Sequence, residues 1–151
     1  MKVKTKTEKE TKNFAKKIAK SIKKDENRAT IITLSGELGS GKTTFTKGFA
    51  KYFNISEITS PTFVIMKKYK LEKGDFKNLY HVDCYRLEDK SNLKEIKFDQ
   101  ILNDKNNIVL IEWPERLEEF PENSINLEFE VKSKERIIKV LNMTGLKKEG
   151  N

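Results

Sequence analysis

Gly36, Gly41, Lys42 and Thr43 stand at the spacing G-x-x-x-x-G-K-[ST] within the run Gly36-Glu37-Leu38-Gly39-Ser40-Gly41-Lys42-Thr43-Thr44. Residue types in that order can grip a chain of phosphates. Glycines admit positive φ, so successive backbone N–H groups turn inward as an anion nest, to which Glu37, Leu38, Gly39, Ser40 and Thr44 add their own amides. A helix starting near Lys42 contributes the positive end of its dipole. The Lys42 ammonium would meet the β- and γ-phosphates, and the Thr43 hydroxyl would hold Mg²⁺. The plainer reading is a glycine-rich turn that binds nothing. It requires four residue types to coincide between a strand and a helix, which is the context a phosphate loop needs.

Three other groups can complete a nucleotide site. Ile108-Val109-Leu110-Ile111 ends in Glu112, followed by Trp113-Pro114-Glu115. Four apolar residues and then an acid form the Walker B pattern, in which the acid binds Mg²⁺ directly or through water. Aspartate is the usual acid, so Glu112 is a departure. Thr59, Ser60 and Thr62 surround Pro61 where phosphate-loop proteins carry a switch that senses the terminal phosphate; a turn entering a strand explains the same residues equally well. Asp83, at the end of His81-Val82-Asp83, can orient a water or support magnesium, or simply form a surface ion pair. His81 alone signals no chemistry, and Trp113 alone reads as a packing group.

These groups need strands and helices to hold them. Ile31 to Leu34 reads as a buried strand leading into the loop, and Thr43 to about Phe53 as the helix after it, stopped by Asn54. Thr7-x-x-Glu10 is a capping box, and Phe14, Ile18 and Ile22 recur at helical spacing, which predicts a helix from Glu8 to about Lys24 behind a short strand at Val3–Thr5. Thr62–Tyr69 and Leu79–Asp83 read as a hairpin turning at Lys73-Gly74-Asp75. A helix with Leu93, Ile96, Phe98 and Ile101 inward follows. Ile108–Ile111 suits a central parallel strand buried on both faces. Ile125, Leu127, Phe129 and Val131 alternate, with Ile137–Leu141 as their partner strand, and residues 146–151 read as a frayed tail. The fold class expected is α/β: one phosphate-loop domain over residues 1–151, a mixed sheet flanked by helices on both faces, with an antiparallel hairpin inserted.

The 151 residues include 36% charged ones and carry a net charge of +8. The excess is local: residues 1–28 hold 11 Lys and Arg against 4 Asp and Glu, and the rest hold 20 against 19. A basic helix of this kind can attract RNA, a membrane surface or an acidic protein face, and a merely solvated face explains it too. No apolar run approaches the ~20 residues of a membrane span, and no signal-peptide core is visible. The lone cysteine, Cys84, excludes an internal disulfide and fits a reducing cytoplasm. With His81 the only histidine, no Cys/His metal cluster exists.

Taken together, Gly36–Phe45, Thr59-Ser60-Pro61-Thr62-Phe63, His81-Val82-Asp83-Cys84-Tyr85-Arg86-Leu87 and Ile111-Glu112-Trp113-Pro114-Glu115 resemble the TsaE (YjeE) family in order and spacing. The resemblance implies a bacterial ATPase needed for threonylcarbamoyladenosine formation on tRNA, working with a TsaD–TsaB transferase pair. It implies that Lys42 and the loop amides bind ATP, that Thr43 and Glu112 hold Mg²⁺, and that Asp83 is needed for hydrolysis. It further implies that Thr62 and its neighbours act as the switch and that Trp113 lies beside the nucleotide. Thr11 and Glu115 match positions near the adenine or ribose. Cys84 stands where the family usually has leucine, and Lys97 where glycine is common.

Phosphoryl transfer to water requires charge neutralisation at the γ-phosphate. The chain has four arginines, Arg28, Arg86, Arg116 and Arg136, none at an obvious finger position. A finger is worth roughly 10³–10⁵ in rate, so slow turnover alone and activation by a partner are expected. Two rivals remain. One is a small-molecule kinase, which usually needs an arginine-rich lid; the other is an RNA-binding or regulatory module switched by nucleotide, contacting tRNA through the basic amino-terminal helix. A GTPase is disfavoured because no N-K-x-D motif appears.

Overall fold

The computed structural model describes residues 1–58, 65–85, 87, 93–94 and 97–148. The elements run β1 (Lys2–Thr5), α1 (Glu8–Ser21), β2 (Thr30–Gly36), α2 (Lys42–Tyr52), β3 (Met66–Lys70), β4 (Asn78–Asp83), α3 (Phe98–Leu102), β5 (Asn107–Glu112), a 3₁₀ turn (Pro114–Arg116), β6 (Ile125–Lys132) and β7 (Glu135–Val140). The strands form one seven-stranded sheet in the order β1-β7-β6-β2-β5-β4-β3. β2, β5 and β4 are parallel neighbours, and β6 is parallel to β2. The β3–β4, β6–β7 and β1–β7 pairs are antiparallel. The fold class is therefore the mixed α/β sheet that the alternation of elements implied.

β5 is an interior strand between β2 and β4, and every residue from Asn107 to Glu112 is buried, on both faces of the sheet. One face is covered by α1 and α2: Phe14, Ala15 and Ile18 pack with Phe45 and Phe49 over Ile32, Leu34 and Leu110. The Phe45 ring meets Phe14 at 6.1 Å and Phe129 edge-on at 5.6 Å. On the opposite face Phe98 and Ile101 of α3 cover Val82, Val109 and Ile111. Gly48 lets the two helices on the first face close up, since a β-carbon there would lie 2.6 Å from the Lys12 Cα and 2.7 Å from its carbonyl oxygen.

The Thr7 hydroxyl accepts from the Glu10 N–H at 3.1 Å, as the capping box requires. α1 ends at Ser21, three residues before the periodicity suggested. Ile22 turns to extended backbone, is buried and bridges Leu146, while the Lys23 N–H donates to Gly145 at 2.8 Å. Residues 146 and 147, expected in a frayed tail, are consequently tied down: Leu146 is buried and the Lys147 N–H donates to the Ser21 carbonyl at 2.7 Å. Val131, expected to face inward, is 45% exposed near the end of β6. The start of the expected β3 strand and Ile96 lie outside the described residues, whereas Lys97 takes left-handed backbone (φ 55°) where α3 begins. That conformation suits glycine best, so the lysine here carries a strain that the glycine expected from the family resemblance would avoid.

Candidate functional site

β2 ends at Gly36, and the chain then curls through positive φ at Gly36 (142°), Gly39 (76°) and Gly41 (110°) before α2 starts. Gly36 is sterically obligatory, because a β-carbon would meet the Phe129 carbonyl oxygen at 2.4 Å. Gly41 stands at the N-cap of α2 with no side-chain cap, so the amides of the first turn point into the curl. Such a concavity, closed by a helix N-terminus, suits an anion.

The strand register brings the acids to this loop. Leu34 pairs with Glu112, and Glu112 pairs with Asp83, so three neighbouring parallel strands end in one row. Ligands of open α/β sheets bind beyond these carboxyl ends. A cleft of about 480 Å³ lies there, lined by loop residues Leu38, Gly39, Gly41, Lys42, Thr43 and Thr44. Asp83, Glu112 and Trp113 form one wall, and Thr11 of α1 stands on the lining as well.

Lys42 is buried, and its ammonium donates to the Gly36 carbonyl and, at 3.0 Å, to the Glu37 carbonyl. The same nitrogen lies 4.1 Å from the Trp113 ring centroid. Burial pulls the Lys42 pKa below the usual lysine value, against the opposing pull of Glu112, Glu115 and Asp83. Burial likewise raises the Asp83 carboxyl above its ordinary range, with Glu112 adding to the rise; the Tyr85 N–H, donating to Asp83 at 3.0 Å, and Lys42 oppose it. Trp113 is held in left-handed backbone (φ 59°), uncommon for a bulky residue, with its N–H donating to Leu34 at 3.2 Å. Strain of this kind gathers at functional sites. Its indole packs against Tyr85 at 4.9 Å.

Not every expected residue reaches the cleft. Glu37 contributes its carbonyl to Lys42, and Ser40 is buried with a hydroxyl that has no hydrogen-bond partner among the described residues; neither stands on the cleft lining. Glu115, in the 3₁₀ turn, is exposed and outside the lining, so it acts on Lys42 only through its charge. Thr11 is buried with its hydroxyl already bonded to Thr5 at 2.7 Å. The proposed switch residues Thr59, Ser60 and Thr62 lie outside the described residues.

The fold also delivers groups that local sequence did not single out. Lys6, Thr7 and Glu8 enter from the start of α1, and Lys134 and Arg136 from the β6–β7 hairpin. Arg136 pairs in register with Thr5, and its Cδ lies 3.9 Å from where a Gly41 β-carbon would stand. An arginine does therefore reach the cleft, but from the β7 side of β2, opposite the strands that carry Glu112 and Asp83. His81 is the other addition, 2.9 Å from Glu112 in the sheet interior. The capping box Thr7-x-x-Glu10 points to Thr7; nothing local points to Glu8 or Arg136.

Magnesium favours hard oxygen donors and keeps several waters, taking one or two carboxylates plus phosphates rather than a full protein cage. The Thr43 hydroxyl and the Glu112 and Asp83 carboxylates on one cleft fit that preference. Among the described residues no cluster of three His, Cys, Asp or Glu offers a self-sufficient metal cage. Nor is any described helix long and apolar enough to cross a membrane.

Comparison with known proteins gives a consistent result. The model of the family described as "Threonylcarbamoyl adenosine biosynthesis protein TsaE" matches residues 5–138. The protein of that name from Bacillus subtilis is 41% identical over 111 residues, covering 73% of this chain and 64% of its own. That from Rickettsia prowazekii is 40% identical over 111 residues, covering 72% and 71%. The crystal structure of YdiB from Bacillus subtilis superposes with a TM-score of 0.67 at 33% identity, covering 91% of this chain and 82% of the other.

Proposed function

The chain belongs to the TsaE family, and from that premise we propose that it is a Mg²⁺-dependent ATPase supporting threonylcarbamoyladenosine formation on tRNA, in the cytoplasm and together with a TsaD–TsaB transferase pair. One observation carries the catalytic part: a glycine-curled loop, a buried lysine, a threonine hydroxyl and two carboxylates converge on one cleft at the strand ends.

In this reading Lys42 leaves the Gly36 and Glu37 carbonyls and meets the β- and γ-phosphates, while the loop amides cradle the chain. Thr43 and Glu112 would hold Mg²⁺, which neutralises charge building on the β- and γ-oxygens. Asp83, with a carboxyl raised by burial, orients the attacking water. Trp113 covers the phosphate end. Thr11, Lys6 and Arg136 stand on the β1–β7 side, the side left for the nucleoside, and Glu115 contributes from just outside. The switch role stays with Thr59, Ser60 and Thr62.

Arg136 approaches the loop from the side away from Asp83 and Glu112, and in this reading it does not act on the transferred γ-phosphoryl group. With Arg136 on that side and Arg86 outside the described residues, we expect the chain alone to turn over slowly and a partner to complete the site. Phosphate release measured with and without the transferase pair tests this. Stimulation of 10-fold or more supports it; rapid turnover by the isolated chain, or a phosphorylated small molecule in place of free phosphate, contradicts it.

A tRNA contact would run through the basic face of α1, where Lys9, Lys17 and Lys20 are exposed while Lys12 and Lys16 are half-buried. Exchanging Lys9, Lys17 and Lys20 for glutamine separates the roles, since lost tRNA binding with intact ATP turnover would assign the helix to RNA.

A further inference from the structure

We propose that His81 is a positioning residue for the metal site: its Nε2–H fixes the Glu112 carboxylate in the orientation in which it receives Mg²⁺. The inference rests on the magnesium reading above and assigns a task to a side chain that no catalytic step uses.

The geometry is specific. His81 Nε2 lies 2.9 Å from Glu112 Oε2, and the two side chains are 1% and 4% exposed. His81 sits on β4 opposite Leu110 of β5, two residue pairs before the Asp83–Glu112 pair and on the same face of the sheet as Glu112, so its ring reaches diagonally along the adjacent strand to the carboxylate. Its Nδ1 is buried and meets no hydrogen-bond partner among the described residues. A neutral imidazole carries its proton on one nitrogen only. The proton at Nε2 makes a bond to the carboxylate, whereas at Nδ1 it would be an unsatisfied buried donor beside an acceptor facing an acceptor. The contact therefore selects the Nε2–H tautomer.

Glutamate has one more rotatable bond than the aspartate usual at this strand end, so its carboxylate can swing through a wider arc. Cross-strand donation to Oε2 removes that freedom and leaves the second oxygen for a cation. Partners that orient metal ligands in this way are worth about 10–100-fold in metal affinity when removed. A histidine kept only for packing would show no such coupling.

The two amide replacements separate these cases. In His81→Gln the amide nitrogen reaches the place of Nε2; in His81→Asn it reaches only the place of Nδ1, and Glu112 loses its donor. The readout is binding of MANT-ADP, a fluorescent ADP, titrated with MgCl₂ and again in EDTA. His81→Asn should raise the Mg²⁺ midpoint about 10–100-fold with MANT-ADP affinity in EDTA unchanged, and His81→Gln should stay near wild type. Asn and Gln variants that behave alike, or an equal loss of binding in EDTA, would overturn the proposal. A wild-type protein whose MANT-ADP binding ignores Mg²⁺ would overturn the metal reading itself; coupling retained in His81→Asn overturns the His81 assignment alone.

Discussion

The Lys42 ammonium faces the Trp113 ring at 4.1 Å while bonding the carbonyls of Gly36 and Glu37. The lysine is thus folded back onto its own loop and capped by the residue that follows the strand-end acid. Binding a triphosphate must exchange these contacts for phosphate oxygens, and the exchange draws a cation away from an indole face.

Trp113 is the single tryptophan of the chain, so its emission reports that exchange directly. ATP should produce a saturable change in tryptophan fluorescence. Lys42→Met removes the cation permanently, and its ligand-free emission should shift from wild type in the direction that ATP drives wild type. Emission indifferent to both ATP and the substitution would mean that Lys42 does not leave the ring.

The α1–α2 contact sets the position of the loop helix, and Gly48 is its tightest point. A methyl group there meets Lys12 backbone at 2.6 Å, which no side-chain rotation relieves. Gly48→Ala should cost about 1–3 kcal/mol, the usual range for overpacking. At about 2–4 °C per kcal/mol for a chain of this size, thermal unfolding should fall by roughly 2–12 °C. An unchanged melting temperature would show that the helices slide apart without cost.

Cys84 is fully buried, and burial, with Asp83 and Glu115 adding to it, pushes the thiol up to about 12 from 9.0. The folded state binds this proton more tightly than the unfolded chain does. Its contribution to stability is therefore complete below pH 9 and lost as pH rises from 9 through about 12. Wild type should lose more stability across that interval than Cys84→Ala, measured by urea unfolding at each pH. At pH 8 the native thiol should resist a disulfide reagent that labels the unfolded protein rapidly; immediate native labelling would contradict the assignment.

Much of this site could be read before the fold was known, because its chemistry lies in contiguous segments. The loop from Gly36 to Thr44 carries its spacing in the chain, and Glu112 follows an apolar run long enough to mark β5 as an interior strand buried on both faces. The residues whose place in the site only the fold reveals are those joined by pairing between strands. His81 meets Glu112 across a separation of 31 residues. Arg136 reaches Gly41 because β7 pairs with β1 and lies two strands from β2. α1 ends earlier than its periodicity implies for a similar reason: Ile22 continues the helical stripe, yet a bridge to Leu146, distant in sequence, recruits it. The left-handed backbone of Trp113 has no local signature either, since aromatic residues seldom adopt it.

The central claim is that the curled loop grips a triphosphate while Glu112 completes the metal's shell. Phosphate release from Mg²⁺-ATP, paired with ATP affinity, should be measured for wild type, Lys42→Ala and Glu112→Ala in the presence of the transferase pair. Lys42→Ala should weaken ATP binding. Glu112→Ala should lower Mg²⁺-dependent turnover by about 10²-fold or more, the loss typical of removing one transition-state charge contact, with a smaller effect on affinity. Hydrolysis at the wild-type rate in both variants would contradict the account.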